Sequence, residues 1–260
     1  MHRRMKREFF LLFLSGVLFC LSAGQAFARD LHFVTEPFPP YNYLEAGRAA
    51  GPMPEIVRAA CERIAVHCHI EVMPWRRALQ LAEQGKVDGA FALVRIPERE
   101  ASFYLGPAVV DLTYTLFAQK TSLLRYQKQA DLNGYTLAAY GPSGTLRTLQ
   151  DLQALGGKFE IVQEVDNATV LRKLAAGRYG ERGAVLINRD AANWLIREEG
   201  LDNLKEAGDL RRLAYHIGLS RKSVSEVTAN RFHQALLALS RDGRLRAILK
   251  KHGLRPAEEQ

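Results

Sequence analysis

The sequence predicts an α/β fold built as two lobes, and three observations lead to this prediction. Segments with strand periodicity alternate with segments of helical periodicity, which indicates parallel strands with helices on both faces of a sheet. A second β–α series begins at residues 131–134, after a segment that lacks helical periodicity. The chain of 260 residues is also long enough to bury one large core or two smaller ones.

The strands are predicted from short apolar or alternating stretches that lie between turn residues. The first strand, at residues 31–35, is followed by a loop at 36–41 whose three prolines rule out a helix there. The other strands are expected at residues 69–73, 87–94, 112–119, 136–140, 160–163, 184–187 and 213–219.

The helices are predicted from apolar residues at helical spacing. Met53, Ile56, Val57 and Ala60 give the first such pattern, and Gly85 ends the second helix. The predicted helices span residues 53–64, 75–84, 168–176, 225–240 and 244–252, with one more from about residue 145 and a short helical turn at 97–100.

The N-terminus has the pattern of a secretory signal peptide at residues 1–28. A basic start precedes an apolar run of thirteen residues at 9–21, and Ala26-Phe27-Ala28 forms a small-residue cleavage site. The run is shorter than the ~20 residues that span a bilayer, so we favour cleavage over an uncleaved anchor. The mature protein would then begin at Arg29 in the periplasm, an oxidising compartment.

The distribution of charge argues against a nucleic-acid partner. The full chain carries a formal net charge of +8 and the signal peptide +3, so the mature 260 − 28 = 232 residues carry about +5. These charges are mixed in sign, and no run of Lys and Arg is interleaved with aromatic residues. We therefore expect no nucleic-acid binding.

Two cysteines remain in the mature chain, Cys61 and Cys68. On one continuous helix they would lie about 10 Å apart along the axis, and a disulfide needs Cα atoms within about 7 Å. The helical pattern ends before a strand-like alternation begins at His69, so the chain can fold back and a disulfide is predicted. The less favoured alternative is a zinc site of Cys61, His67, Cys68 and His69, since neighbouring strand residues point to opposite faces and the spacing of structural zinc sites is absent.

Six motifs form an ordered set along the mature chain, together with the cysteine pair. They are EPFPPYNY at 36–43, PWRRALQLAEQGKVDGA at 74–90, IPERE at 96–100, DLNGYTLAAYGPSGT at 131–145, AGRYGERGAVLIN at 176–188 and LSRDGRLRAILKKHG at 239–253. In order and spacing this set resembles the extracellular solute-binding proteins of family 3, the type II periplasmic binding proteins of polar amino-acid transporters. The resemblance covers essentially the whole mature chain.

The resemblance implies a type II periplasmic-binding-protein fold. In that fold two α/β lobes are joined by two crossover hinge segments and close on a ligand in the cleft between them. The crossings would lie near residues 113–120 and 211–220. Lobe 1 would comprise residues 29–117 and 214–260, and lobe 2 would comprise residues 118–213.

The resemblance assigns ligand-binding roles to three residues of lobe 1. Phe38 and Trp75 match positions where an aromatic ring covers the ligand or stacks on a guanidinium, and core packing is the alternative for both. Arg99 matches the arginine that holds the ligand α-carboxylate through two parallel hydrogen bonds, and a surface position between two glutamates is its alternative. The family usually has a hydroxyl residue shortly before this arginine, and residues 92–95 supply none.

Ser143, Gly144 and Thr145 are expected to face the ligand from lobe 2. The resemblance places them where a helix begins, and the N–H groups at a helix start suit a carboxylate. The glycine permits a close approach. A simple N-cap by Ser143 is the alternative interpretation, and a phosphate loop is excluded because no Lys follows the glycine.

The binding site for a ligand ammonium is where the chain departs from the family. The family's aspartate falls on Asn188, which accepts a hydrogen bond but cannot neutralise a cation, and Asp190 could replace it only if the loop shifts. Glu36 could meet a cationic group instead. Arg76 and Arg77 would favour an anionic ligand, unless they form a solvated helix face.

The leading hypothesis is a protein that captures a small polar, amino-acid-like solute bearing a carboxylate and delivers it to the permease of an ABC importer. It implies no catalytic residue, metal or cofactor, and we expect a monomer. The second hypothesis is an enzyme, because relatives of the family include cyclohexadienyl dehydratases, although Glu36 has no visible acid–base partner. The third is a ligand-sensing partner of a membrane receptor, which the sequence does not separate from transport.

Overall fold

The computed structural model of the protein describes residues 29–257. The predicted signal peptide lies outside the described residues. Within residues 29–257, no helix combines the length and the apolar character that crossing a membrane requires.

Strands and helices alternate along the described chain. The strands are β1 (Leu31–Thr35), β2 (Tyr43–Glu45), β3 (Arg48–Ala50), β4 (Cys68–Val72), β5 (Gly89–Leu93), β6 (Phe103–Leu105), β7 (Val110–Gln119), β8 (Thr136–Tyr140), β9 (Glu160–Glu164), β10 (Gly183–Asn188) and β11 (Leu204–Ser220). The helices are α1 (Pro52–Arg63), α2 (Trp75–Glu83), α3 (Pro97–Ser102), α4 (Gly144–Ala154), α5 (Asn167–Ala175), α6 (Arg189–Glu199), α7 (Glu226–Arg241) and α8 (Arg244–Lys251).

Most strands join one mixed sheet of two halves. Its order is β4-β1-β5-β11-β7-β10-β8-β9, with β6 paired to β11, while β2 and β3 form a separate hairpin. In one half, β1 runs parallel to β4 and β5. In the other half, β8 runs parallel to β9 and β10. The predicted α/β fold with two lobes is therefore confirmed, each lobe having its own parallel group.

The long strands β7 and β11 connect the two halves. β11 pairs with β7 through residues 204–215 and with β5 and β6 through residues 216–220, always antiparallel. It therefore passes from one parallel group to the other, with register shifts on the way. The predicted lobe boundaries, after residues 117 and 213, fall inside these two strands, and their placement stays a prediction.

β1 buries Phe33 and Val34 on its two opposite faces. Its Phe33 ring lies 5.4 Å from the ring of Phe232 on α7, whereas Val34 belongs to the same apolar cluster as Trp75 at the start of α2. Successive strand residues point to opposite faces, so a strand covered by helices on both sides needs a continuous apolar run. This packing fixes the carboxyl end of β1, where Glu36 follows.

The predicted disulfide is present between Cys61 and Cys68. Their Cα atoms are 6.1 Å apart. Cys61 lies in the last turn of α1 and Cys68 begins β4, which is the fold-back that the sequence predicts. Because both sulfurs are bonded to each other, the alternative zinc site with these cysteines as ligands is wrong.

The sequence predictions locate every predicted strand and helix within a few residues but miss several elements. They lack the β2–β3 hairpin, β6, α6 and residues 204–212 of β11. α6 has caps at both ends, because the Asn188 side chain accepts a hydrogen bond from the N–H of Ala191 and Gly200 adopts a left-handed conformation with φ of 63°. Only Ala191 and Ala192 of this helix are fully buried, so its apolar stripe is weak.

Candidate functional site

All eight sequence-predicted ligand-binding residues lie around one cleft between the two halves of the sheet. The lining residues are Glu36, Phe38, Trp75, Ala92, Leu93, Val94, Arg99, Tyr114, Tyr140, Ser143, Gly144, Thr145, Asn167, Asn188 and Tyr215. The structure therefore brings the eight predicted residues together, and their roles in binding stay predictions. Arg76 and Arg77 are exposed on α2, which fits a solvated helix face.

Most of these residues lie at the carboxyl ends of strands or in the segments that directly follow them. Glu36 follows β1, Arg99 follows β5 on the short helix α3, and Ser143 follows β8. Asn188 ends β10, and Trp75 begins the helix after β4. In open α/β sheets the carboxyl ends of parallel strands form the ligand-binding edge, and here two such edges face each other.

Arg99 is held in the wall of the cleft rather than on the surface. Its side chain is 10% exposed, and its Nη1 donates to Oε1 of Glu83 at 2.7 Å. Its guanidinium carbon lies 5.7 Å from the ring centre of Trp75. Desolvation by burial lowers the pKa of Arg99, although an arginine stays charged at neutral pH. The cleft therefore contains a partly desolvated cation that can bind an anion.

Trp75 and Phe38 are at once cleft residues and packing residues. Trp75 is 7% exposed and shares an apolar cluster with Ala78 and Leu79. Phe38 stacks on Tyr41, with ring centres 5.2 Å apart. The alternatives of ligand wall and core are therefore not exclusive, because both residues line the cleft and also pack against other side chains.

Asn188 uses its side chain inside the protein. Its Oδ1 accepts from the N–H of Ala191 at 2.9 Å, and its Nδ2 donates to the hydroxyl oxygens of Tyr41 at 3.0 Å and Tyr215 at 3.2 Å. The Tyr41 hydroxyl in turn donates to Asp190 at 2.8 Å. Asn188 has no carboxylate, and Asp190 does not line the cleft, so the departure from an ammonium-binding aspartate stays a prediction.

Glu36 lies partly buried at the junction of the two halves. The hydroxyl of Tyr140, at the end of β8, donates to its Oε2 at 3.0 Å. Desolvation raises the pKa of Glu36 to about 8, against the lowering effect of this hydrogen bond. The side chain is therefore mostly a neutral carboxylic acid at pH 7, which can donate as well as accept a hydrogen bond but offers little charge to a cation.

The start of α4 has the polar character that the sequence predicts. Ser143 is the N-cap, because its Oγ accepts from the N–H of Leu146 at 3.2 Å and donates to the carbonyl of Tyr140. Oγ also lies 2.8 Å from Oγ1 of Thr145. The first N–H groups of a helix have no acceptor within the helix, so this helix start can bind an anion beside Arg99.

The two halves are in contact across the cleft. Glu36 bonds Tyr140, Tyr41 bonds Asn188, and the Glu98 carboxylate pairs with Arg147 of α4. The space left inside the cleft is about 50 Å³, enough for a few water molecules at roughly 10–15 Å³ each on the same measure. The structure is therefore a closed arrangement of the lobes.

Replacing Gly144 by alanine should oppose this closed arrangement. A methyl group there would lie 2.3 Å from the Tyr114 hydroxyl oxygen and 2.5 Å from a methyl carbon of Val94. Overpacking of this kind typically destabilises by about 1–3 kcal/mol, whereas the helix itself should form, because alanine is the better helix former. We expect small-angle X-ray scattering to show a more open molecule and ligand affinity to fall.

A control for Gly144→Ala removes the two side-chain atoms that the new methyl group would clash with. Adding Val94→Ala and Tyr114→Phe removes the two atoms nearest to the new methyl group. The triple variant should recover closure. A Gly144→Ala protein with wild-type scattering and wild-type affinity would contradict the steric argument.

Sequence reasoning missed the tyrosines of the cleft. Tyr41 does not line the cleft; it is fully buried, as packing of the loop predicts, and it links the two halves through Asn188. Tyr114 and Tyr215 come from the crossing strands β7 and β11, and Tyr140 ends β8. In the sequence each of these tyrosines is an aromatic residue at the end or in the middle of a strand. That pattern is the same for a residue of the cleft and for a residue of the core.

The sequence of the chain matches a protein-family model. The model for bacterial extracellular solute-binding proteins, family 3, matches residues 31–255. No curated protein sequence gives a significant match.

Solved structures share the fold over most of both chains. A histidine kinase sensor domain with similarity to periplasmic binding proteins is 21% identical, with a TM-score of 0.77, over 88% of this chain and 98% of the other. The substrate-binding protein AbpA of an amino acid ABC transporter from Streptococcus pneumoniae, bound to L-arginine, is 18% identical, with a TM-score of 0.72, over 88% and 95%. A putative L-cystine ABC transporter from Listeria monocytogenes is 21% identical, with a TM-score of 0.72, over 86% and 95%. At these identities the likeness concerns the fold.

Proposed function

The chain belongs to the bacterial extracellular solute-binding proteins of family 3, and from this premise we propose that it captures a small, amino-acid-like carboxylate in its cleft and delivers it to an ABC importer. The observation that carries the proposal is that Arg99 and the N-terminus of α4 line the same cleft from its two sides. The predicted signal peptide supports a periplasmic location. For the lobes we propose residues 29–117 with 214–260, and 118–213.

Binding requires only that the ligand prefers the closed conformer. Arg99 belongs to one half of the structure and residues 143–145 belong to the other. A carboxylate between them contacts both lobes, so it gains contacts on closure that the open conformer does not offer. A ligand shifts a conformational equilibrium by this difference in affinity. The long strands β7 and β11 are the segments that would bend.

The solved structures support the class of solute rather than its identity. One neighbour is bound to L-arginine and another is a putative L-cystine transporter. A third belongs to glutathione import through GshT and the cystine importer TcyBC of Streptococcus mutans. We therefore propose L-amino acids, cystine and small peptides with a free carboxylate as the first solutes to test.

A thermal-shift screen with these solutes tests the proposed function. The chain has two tryptophans, at positions 75 and 194, so Trp194→Phe leaves Trp75 as the single reporter. A true ligand should raise the melting temperature and change the Trp75 emission, because Trp75 lines the cleft. The matched Trp75→Phe variant, which keeps Trp194 on α6, should show little change. Equal responses of both reporters, or no response to any carboxylate, would contradict the proposal.

Glu36 gives the enzyme hypothesis one supporting observation. A carboxylic acid with a pKa of about 8 stays protonated near neutral pH and can act as a general acid. A dehydratase-like activity would appear as ultraviolet absorbance of an aromatic product from a cyclohexadienyl carboxylate, and Glu36→Gln should abolish it. Tight binding of the substrate without turnover would leave the binding function as the sole proposal.

The third hypothesis, ligand sensing for a membrane receptor, uses the same cleft. One of the structures of similar fold is a histidine kinase sensor domain. A permease gene beside the gene for this chain would favour transport, and a receptor gene there would favour sensing.

A further inference from the structure

Two histidines and a glutamate form a cluster away from the cleft. His32 lies on β1, and His69 and Glu71 lie on the edge strand β4. β1 and β4 are parallel, with His32 directly opposite His69. Side chains two residues apart on a strand point to the same face, so Glu71 joins the two imidazoles. None of the three residues lines the cleft.

The potential ligand atoms of the three side chains are already close together. One nitrogen from each histidine and one carboxylate oxygen all lie within 4.8 Å of one another. Nε2 of His32 is 3.4 Å from Oε2 of Glu71. Ligands about 2.0–2.1 Å from a tetrahedral Zn²⁺ are separated from each other by about 3.3 Å, so this pair already has the spacing of two metal ligands.

The His32 Nε2 atom lacks the partner that a shielded polar atom needs. It is inaccessible to solvent and makes no hydrogen bond, although it faces the Glu71 carboxylate. Buried polar atoms are nearly always hydrogen-bonded or bound to an ion, and an exception calls for an explanation. A metal ion between His32 and Glu71 would supply the missing partner to both side chains.

We propose that His32, His69 and Glu71 bind a divalent transition metal of the Zn²⁺ class. Two imidazoles and one carboxylate suit Zn²⁺, Cu²⁺ or Ni²⁺, whereas Ca²⁺ and Mg²⁺ favour sets of oxygen ligands. His69 and Glu71 are exposed, so small rotations of these two side chains complete the set. The same exposure leaves the fourth position to water.

The backbone around the cluster is fixed before any metal arrives. β1 lies between β4 and β5 in the sheet, and the N–H of His32 donates to the Asp88 carboxylate at 2.9 Å. The Cys61–Cys68 disulfide anchors the chain directly before His69. A metal would therefore connect the edge strand β4 to β1, and it would stabilise this lobe because it binds the folded arrangement alone.

Isothermal titration of the untagged mature protein with ZnCl₂, NiCl₂ and MgCl₂ tests the site. We expect one equivalent of Zn²⁺ or Ni²⁺ to bind, no binding of Mg²⁺, and a higher melting temperature with Zn²⁺. His69→Asn and Glu71→Gln change exposed side chains, so they should fold, and each should weaken Zn²⁺ binding at least about tenfold. His32→Asn should have the same effect.

The matched control is His252→Ala. His252 also lies beside a carboxylate, with Nε2 at 2.9 Å from Oε1 of Glu55, but it is outside the cluster of three ligands. Its replacement should leave Zn²⁺ affinity unchanged. Absence of Zn²⁺ and Ni²⁺ binding to the wild type, or equal losses in His252→Ala and the three cluster variants, would overturn the proposal. Circular dichroism of each variant separates loss of the site from loss of the fold.

Discussion

Replacing Arg99 by alanine should weaken the binding of a carboxylate solute by about 2–5 kcal/mol, the range for truncating one member of a buried charge pair. The side chain of Arg99 is 10% exposed, so a carboxylate that pairs with it leaves water. Without the guanidinium, that carboxylate would be desolvated and unpaired, which is strongly unfavourable. Calorimetry with the solute identified by the thermal-shift screen measures the loss.

Two further variants separate the role of Arg99 from a general effect of charge. Arg99→Lys should recover only part of the affinity, because an ammonium lacks the planar fork that binds both carboxylate oxygens. Arg77→Ala removes a positive charge from the exposed face of α2 and should leave affinity unchanged. The amide of the ligand should bind weakly to the wild type. Equal affinity for acid and amide would remove Arg99 from the binding site.

Arg99→Ala should fold, so that the loss can be assigned to binding. The polar partner that Arg99 leaves behind is Glu83, whose side chain is 37% exposed and can be solvated by water. A native circular dichroism spectrum is therefore expected.

The amino end of the ligand should be recognised differently than in amino-acid-binding proteins that have an aspartate at the position of Asn188. Asn188 binds Ala191, Tyr41 and Tyr215, and Asp190 accepts from Tyr41. Asn188 can offer a ligand ammonium an acceptor oxygen but no negative charge. We therefore expect affinity to depend more on the ligand carboxylate than on its ammonium.

The sequence predicts well those elements whose pattern reflects burial. Leu31, Phe33 and Val34 of β1 are buried, so the apolar character of this strand is visible in the sequence. Residues 204–212 of β11 are a different case, since most of them are partly or fully exposed and their place in the sheet comes from the ladder with β7. α6 buries little apolar surface, and its capping residues Asn188 and Gly200 were the only strong local signals.

The residues of the candidate site likewise divide into those that the sequence can locate and those that it cannot. Arg99, Trp75 and residues 143–145 lie in sequence motifs, so resemblance locates them. The hydrogen bond between Glu36 and Tyr140 joins residues 104 positions apart, and no local pattern predicts it. The burial that raises the pKa of Glu36 likewise depends on the contact of the two lobes.

Replacing Glu36 by glutamine should change how stability depends on pH. Desolvation raises the pKa of Glu36 in the folded protein from 4.5 to about 8. Between these values the folded state holds a proton that the unfolded state releases. Stability from this group is therefore present below pH 4.5 and declines as pH rises through this window, by up to about 1.4 kcal/mol per pH unit. Above pH 8 the decline should level off.

Urea unfolding of the wild type and Glu36→Gln at pH 5.5, 6.5, 7.5 and 8.5 isolates this effect. Glutamine stays neutral and can keep the hydrogen bond with Tyr140, so the variant should gain stability relative to the wild type by several kcal/mol between pH 5.5 and 8.5. The lowered pKa values of His216 and His233 affect both proteins alike and cancel in the difference. Scattering should show the wild type opening at high pH, because an open cleft hydrates the Glu36 carboxylate. Parallel stability curves for the two proteins would contradict a desolvated, protonated Glu36 and with it the neutral character that we assign to this wall of the cleft.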